Sequence, residues 1–95
     1  MLDLVKQFIE KLIAGFDKTI TIESEVMYGN SKLEYALSTE HYMASISVLS
    51  DFTYDFFAME IISGEDPLLL NMKQFDSIEN LFTELTKDII SFSDL

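Results

Sequence analysis

Apolar residues near the start of the chain recur every three or four positions, as they do on one face of a helix. They are Leu2, Val5, Phe8, Ile9, Leu12, Ile13 and Phe16. Asp3 can serve as the N-cap, and Gly15 stands near the expected C-terminal end. The spacing therefore predicts a first helix over residues 3–16.

After this helix, apolar and polar residues alternate, which is typical of strands that have one solvated face. Three alternating runs follow one another, over residues 19–28, 32–37 and 42–48. A fourth run, residues 53–62, is apolar on both parities, so it could be a central strand covered on both faces or a strand whose second face awaits a partner. Residues 68–70 could form a short edge strand or pack as a loop. The pattern predicts four strands.

A closing helix is indicated by the capping-box spacing of Asp76 and Glu79, followed by apolar residues at helical intervals. These are Ile78, Leu81, Phe82, Leu85, Ile89 and Phe92. Short connections between the strands favour an antiparallel meander. We therefore predict an α+β fold, in which an antiparallel four-stranded meander sheet carries the N- and C-terminal helices on one face. A chain of 95 residues has room for one such domain, over residues 1–95.

Negative charge dominates the composition: 17 acidic residues stand against six lysines and no arginine, for a net charge of −11. Residues 1–18 are neutral, residues 73–95 carry −3, and the predicted sheet segment 19–72 carries −8. A field of one sign speeds encounter with an oppositely charged partner and fixes its register. The same charge argues against direct binding to nucleic acid or to anionic membranes.

Residues that carry catalysis or bind cofactors are sparse. The sequence has no cysteine, and its single histidine, His41, is expected on an exposed turn. Neither a glycine-rich phosphate loop nor the EF-hand spacing is found. We therefore predict no enzyme, no catalytic residue, no metal site and no cofactor. The absence of a signal peptide and of a run of ~20 apolar residues leads us to expect a cytoplasmic protein.

Four segments carry a resemblance to a known family: LDLVKQFIEKLIAGF, TITIESEV, TYDFFAMEII and SIENLFTELTKDII. With them, the whole chain resembles the small immunity proteins of bacterial contact-dependent growth inhibition systems, in particular the TriTu immunity group. The resemblance implies a cognate partner, the C-terminal toxin domain of a large secreted effector, which is often a basic, tRNA-cleaving nuclease. It also implies elongation factor Tu as an indirect partner, reached through the toxin.

Under this hypothesis the chain neutralises the toxin by occlusion, with its acidic sheet face and turns covering the active or RNA-binding surface. Binding beside the active centre would fit the sequence equally well. The candidate partner-binding residues are Glu23, Glu25, Glu34, Asp51, Asp55, Glu60, Glu65 and Asp66, with Tyr54 and Phe56 as apolar anchors. Glu23, Glu25 and Glu34 are expected to project from the face opposite the helices. For the aromatic residues, packing in the core is the competing interpretation.

A second function fits the same sequence, an acidic export chaperone of the type III secretion kind, which would hold a partly unfolded effector. Such a chaperone normally acts as a homodimer and binds an extended segment of its client. An immunity protein instead needs a folded toxin. The apolar second face of the strand at residues 53–62 could also close a homodimer.

Overall fold

The computed structural model describes residues 1–16, 19–62 and 66–95. The elements are α1 (Leu2–Ala14), β1 (Thr21–Tyr28), β2 (Lys32–Ser38), β3 (Tyr42–Leu49), β4 (Thr53–Glu60), β5 (Leu69–Gln74) and α2 (Ile78–Ser93). The strands form one antiparallel sheet in the order β1-β2-β3-β4-β5. The predicted α+β class and the two terminal helices are confirmed, but the sheet has five strands instead of four.

The additional strand, β5, lies at one edge of the sheet and pairs with β4 from Ala58↔Leu69 to Thr53↔Gln74. Its sequence, LLNMKQ, lacks the alternation of a half-buried strand because most of its residues are solvent-exposed. Because an edge strand has a neighbouring strand on one side only, less of it is buried. The alternation of apolar and polar residues that marks the inner strands is therefore weak in β5.

Both helices pack against the same face of the sheet. Burial alternates strictly along the inner strands, and the buried side chains are Leu33, Tyr35, Leu37, Ala44, Ile46, Val48, Tyr54, Phe56 and Ala58. The helices contribute Leu2, Val5, Ile9, Ile13, Leu81, Leu85, Ile89 and Phe92 to the same core. Phe8 of α1 and Phe82 of α2 stack with ring centroids 4.0 Å apart. The hydrophobic core therefore lies between one sheet face and the helix pair.

Two buried tyrosines tie the helices to the sheet. The Tyr35 hydroxyl donates to Glu10 of α1 at 2.6 Å, and the Tyr54 hydroxyl donates to Asp88 of α2 at 2.8 Å. Asn71 of β5 donates to the same Asp88 carboxylate at 3.0 Å. Burial is the main cause that raises the pKa of both phenols, so each remains a neutral donor. These bonds hold both helices against one face of the sheet.

The helix caps differ from the predicted ones by one or two residues. Helix α1 begins after Met1, and Asp3 lies in its first turn instead of at the N-cap. Helix α2 is capped by Ser77, whose backbone is extended and whose hydroxyl accepts from the Asn80 N–H at 3.2 Å. Asp76 instead accepts from the Asn80 side-chain amide. Neither helix of the described ranges has the length and apolar content needed to cross a membrane.

Candidate protein-binding surface

The sheet face opposite the helices, which we call the open face, presents its side chains in cross-strand rows. Ser24, Ala36, Ser45, Phe57 and Leu70 form one row, and Val26, Glu34, Ser47, Asp55 and Met72 form the next. No described helix packs over these rows. The open face is therefore a regular surface that the fold leaves available to a partner.

A groove runs over the central strand of the open face. Ser45 and Ser47 of β3 form its floor, because their small side chains stand lower than those of the neighbouring strands. Phe57 and Met72 line one wall, and Glu34 and Lys32 line the other. The depression has a volume of about 290 Å³. An apolar wall facing a wall that presents the Glu34 carboxylate suits an amphipathic, positively charged segment of another protein.

Two carboxylates face each other across the groove floor. Glu34 and Asp55 share one cross-strand row with Ser47 between them, so their strands are two spacings, or roughly 10 Å, apart. The Glu34 carboxylate lies 3.6 Å from Lys32 Nζ. The proximity of this carboxylate raises the pKa of the Tyr28 phenol. Glu34 thus lies beside a cation of its own strand before any partner arrives.

Two of the predicted glutamates on β1 lie on different sides of the sheet. A bulge between Ile22 and Ser24 inserts one extra residue into β1. The residues after the bulge therefore point to the opposite face from the one that simple alternation predicts. Glu23 accepts from the Ser38 hydroxyl at 2.5 Å, on the open face. Glu25 instead lies on the helix side, with its carboxylate 3.6 Å from Lys6 of α1. The expectation that Glu25 projects from the open face is therefore wrong.

The remaining acidic candidates are spread around the sheet rather than brought together. Asp51 is exposed in the turn between β3 and β4. The Thr53 side chain and the Thr53 N–H, which donates to Asp51 at 3.0 Å, lower the pKa of its carboxyl. Glu60 ends β4 and is half-buried, and Asp66 is exposed before β5. Glu65 lies outside the described residues. Of the predicted acids, Glu23, Glu34 and Asp55 therefore share the open face.

The two predicted aromatic anchors are not available to a partner. Tyr54 is 0% exposed and Phe56 is 1% exposed, and both point into the helix-covered core. Their assignment as anchors is wrong, because the helices cover the even-numbered parity of β4. Phe57, on the opposite parity, takes that position on the open face, together with Met72 of β5. The sequence signal for Phe57 is the run at residues 53–62, which is apolar at both odd and even positions. That run did not show which of its two faces the helices cover.

Other parts of the described chain present fewer features that could bind a ligand. A concavity of about 680 Å³ lies between the end of β5 and the start of α2 and includes Lys73, Asp76 and Glu84. None of the predicted site residues lines it. His41 is exposed in the turn between β2 and β3, with Nε2 3.8 Å from Glu40. Within the described ranges, no three His, Asp or Glu side chains cluster closely enough to hold a metal ion.

No protein-family model matches the chain, and neither a curated protein nor a solved structure matches it. The open face and its charge are the features that bear on function.

Proposed function

We propose that this chain is an immunity protein that binds and neutralises a basic toxin domain on its open face. The observation that carries the proposal is the groove, in which Glu34 and Asp55 flank a serine floor beside the apolar wall of Phe57 and Met72. The toxin is a tRNA-cleaving nuclease, the C-terminal domain of a secreted effector. It is neutralised in the cytoplasm, and elongation factor Tu is reached only through it.

Charge complementarity explains both the speed and the specificity of such binding. A nuclease that holds RNA phosphates presents a positive surface, whereas this chain carries a net charge of −11. Attraction between the two accelerates encounter and aligns the partners before contact. At contact, a cation of the toxin lies between the two groove carboxylates. Substrate RNA, itself polyanionic, is then excluded from the covered surface.

Apolar contact supplies the part of the affinity that salt does not screen. Phe57 and Met72 form a wall that a partner side chain can cover, which removes apolar surface from water. Aromatic residues near the centre of an interface often dominate its binding energy. We therefore expect Phe57 to be the anchor of the complex, with the carboxylates steering the partner toward it.

The experiment is co-expression with the basic effector C-terminal domain encoded beside this chain, followed by a tRNA-cleavage assay. We expect the wild-type chain to co-purify with that domain and to stop cleavage at equimolar ratio. Asp55→Lys should lose most of this protection. The control is Glu79→Lys, which makes the same charge change at an exposed residue of α2. A wild-type chain that neither binds nor protects would overturn the proposal.

The alternative function is the export chaperone, which the exposed apolar side chains Leu70 and Met72 favour. A chaperone would bind an unfolded, extended segment of an effector and would leave a folded nuclease domain active. Binding to an extended effector segment, without protection of tRNA, would therefore replace the immunity function with this one.

A further inference from the structure

The edge strand β5 has backbone groups that face no other strand of the described ranges. Directly after β5, the Phe75 N–H donates to the Phe52 carbonyl at 3.0 Å, so alternate residues counted back from Phe75 face β4. The residues between them, Leu70, Met72 and Gln74, then direct their N–H and C=O groups away from β4. Since β5 is the last strand in the sheet order, these groups can pair with a further strand.

The side chains beside these backbone groups are apolar and lie on the open face. Leu70 and Met72 pair with Phe57 and Asp55 of that face, and they are 64% and 69% exposed. Leu68, just before β5, is 52% exposed. Leu70 and Met72 also line the groove. A strand added to β5 would therefore cover these side chains with its own alternate residues and extend the open face.

The charges around β5 select a positively charged occupant. Asp66 lies before the strand and Asp76 after it, and both are exposed. Asp55 lies beside β5 in an open-face row. Lys73, the single charge on β5, lies on the helix side, because it pairs with the core residue Tyr54. A strand that approaches along the open face therefore meets carboxylates near its middle and beyond both ends.

We propose that β5 pairs with an extended, positively charged segment of the partner protein, which adds one strand to the five of this sheet. Apolar side chains of that segment lie beside Leu70 and Met72, and a lysine or arginine at each end approaches Asp66 or Asp76. Backbone pairing supplies affinity, and the end charges fix the register. That the partner is a toxin rests on the proposed function, whereas its charge and extended form follow from β5 and its surroundings.

A second copy of this chain is a poor occupant of the same edge. Each copy carries a net charge of −11, so two copies repel one another. Antiparallel pairing of two β5 strands about Asn71 would also set Asp66 of one copy against Asp76 of the other, at both ends of the pair. Like charges opposite each other destabilise a strand pair. A segment with cations at its ends turns the same two carboxylates into attractive contacts.

The first experiment titrates the full chain with a synthetic peptide that alternates valine and threonine, ends in lysine on both sides and is long enough to span β5. We expect the amides of Leu70, Met72 and Gln74 to exchange more slowly when the peptide is bound, and β1 amides to be unchanged. Added salt should weaken binding. A peptide with serine in place of the lysines should bind at least about fivefold more weakly, because it loses two exposed ion pairs.

Two variants of Met72 separate strand pairing from side-chain contact. Met72→Pro and Met72→Ala both replace the apolar side chain by a small one, but only proline also removes an N–H. That N–H faces away from β4, so the β4–β5 ladder keeps its bonds. We expect Met72→Pro to bind the peptide at least about fivefold more weakly than Met72→Ala, as loss of a backbone hydrogen bond requires. Circular dichroism checks that both variants are folded.

Charge reversal provides an arm that does not depend on proline. Asp66→Lys should weaken peptide binding more than Asp3→Lys, which makes the same change at an exposed residue of α1. Equal binding by the two Met72 variants, or equal effects of the two charge reversals, would overturn the proposal. Slower exchange of β5 amides as the chain alone is concentrated would also overturn it, because a second copy would then occupy the edge.

The same variants distinguish failure of this proposal from failure of the proposed function. A toxin domain that Met72→Pro and Met72→Ala neutralise equally well would leave the immunity function in place and overturn pairing at β5. A peptide that binds as expected, to a chain that does not neutralise the folded toxin domain, would uphold the pairing. In that case the export chaperone would replace the immunity function.

Discussion

Adjacent phenylalanines in β4 lie on opposite faces of the sheet, and replacing each by alanine should have very different effects on stability. Phe56 is 1% exposed within the core, whereas Phe57 is half-buried on the open face. Removing a fully buried phenylalanine side chain costs about 3–5 kcal/mol, because it loses apolar burial and leaves a cavity. A domain of this size has a free energy of unfolding of roughly 5–14 kcal/mol. Phe56→Ala should therefore remove a large fraction of the stability.

Phe57→Ala loses less, at most about 2 kcal/mol, because its ring is already partly in water. Urea denaturation followed by circular dichroism measures both free energies of unfolding, with the wild-type chain as reference. Phe56→Ala should also lower the melting temperature by about 12 °C or more. Equal losses for the two variants, or a larger loss for Phe57→Ala, would refute the assignment of Phe56 to the helix-covered face and of Phe57 to the open face.

Three further predictions concern polar contacts, each read from the free energy of unfolding. Tyr54→Phe removes the hydroxyl that donates to the Asp88 carboxylate and should cost about 1.5–3 kcal/mol in urea denaturation; no loss would contradict a bonded phenol. The pKa of Glu10 is lowered, first by the hydrogen bond from Tyr35, so its contribution is present above the ordinary pKa of 4.5 and is lost as pH falls through the lowered value. Glu10→Gln should therefore be less stable than wild type at neutral pH and equal to it in acid; a gap that persists in acid would contradict this. Ser77→Ala removes the N-cap of α2 and should cost about 1 kcal/mol, measured by thermal denaturation against the wild-type chain.

The sequence was sufficient for the parts of the fold that have one strong periodicity. The helical spacing of Val5, Ile9 and Ile13 and the alternation of Leu33, Tyr35 and Leu37 each reflect a single buried face, and the structure buries these residues. Such patterns arise because one face of the helix or strand is buried. The α+β class and the two helices followed from them.

The predictions of facing were wrong in strands whose apolar residues follow no single periodicity. In β4 both parities are apolar, so the sequence could not show that Phe56 is covered by the helices and Phe57 is not. In β1 the bulge after Ile22 places Glu23 and Glu25 on different sides, and no residue type in that segment requires a bulge. The candidate site was therefore only partly predicted. Glu23 and Glu34 lie on the open face as expected, whereas Glu25 lies on the helix side and the two aromatic anchors are buried.

In the proposed function, acids of the open face steer a basic toxin domain into the groove. The most direct measurement is the association rate between this chain and that domain, followed by stopped-flow fluorescence as salt is varied. The variants are Asp55→Lys on the open face and Glu25→Lys on the helix side, which change the net charge equally. We predict that Asp55→Lys slows association at least about fivefold more than Glu25→Lys and flattens its dependence on salt. Equal effects of the two variants, or an association rate that does not depend on salt, would contradict the account.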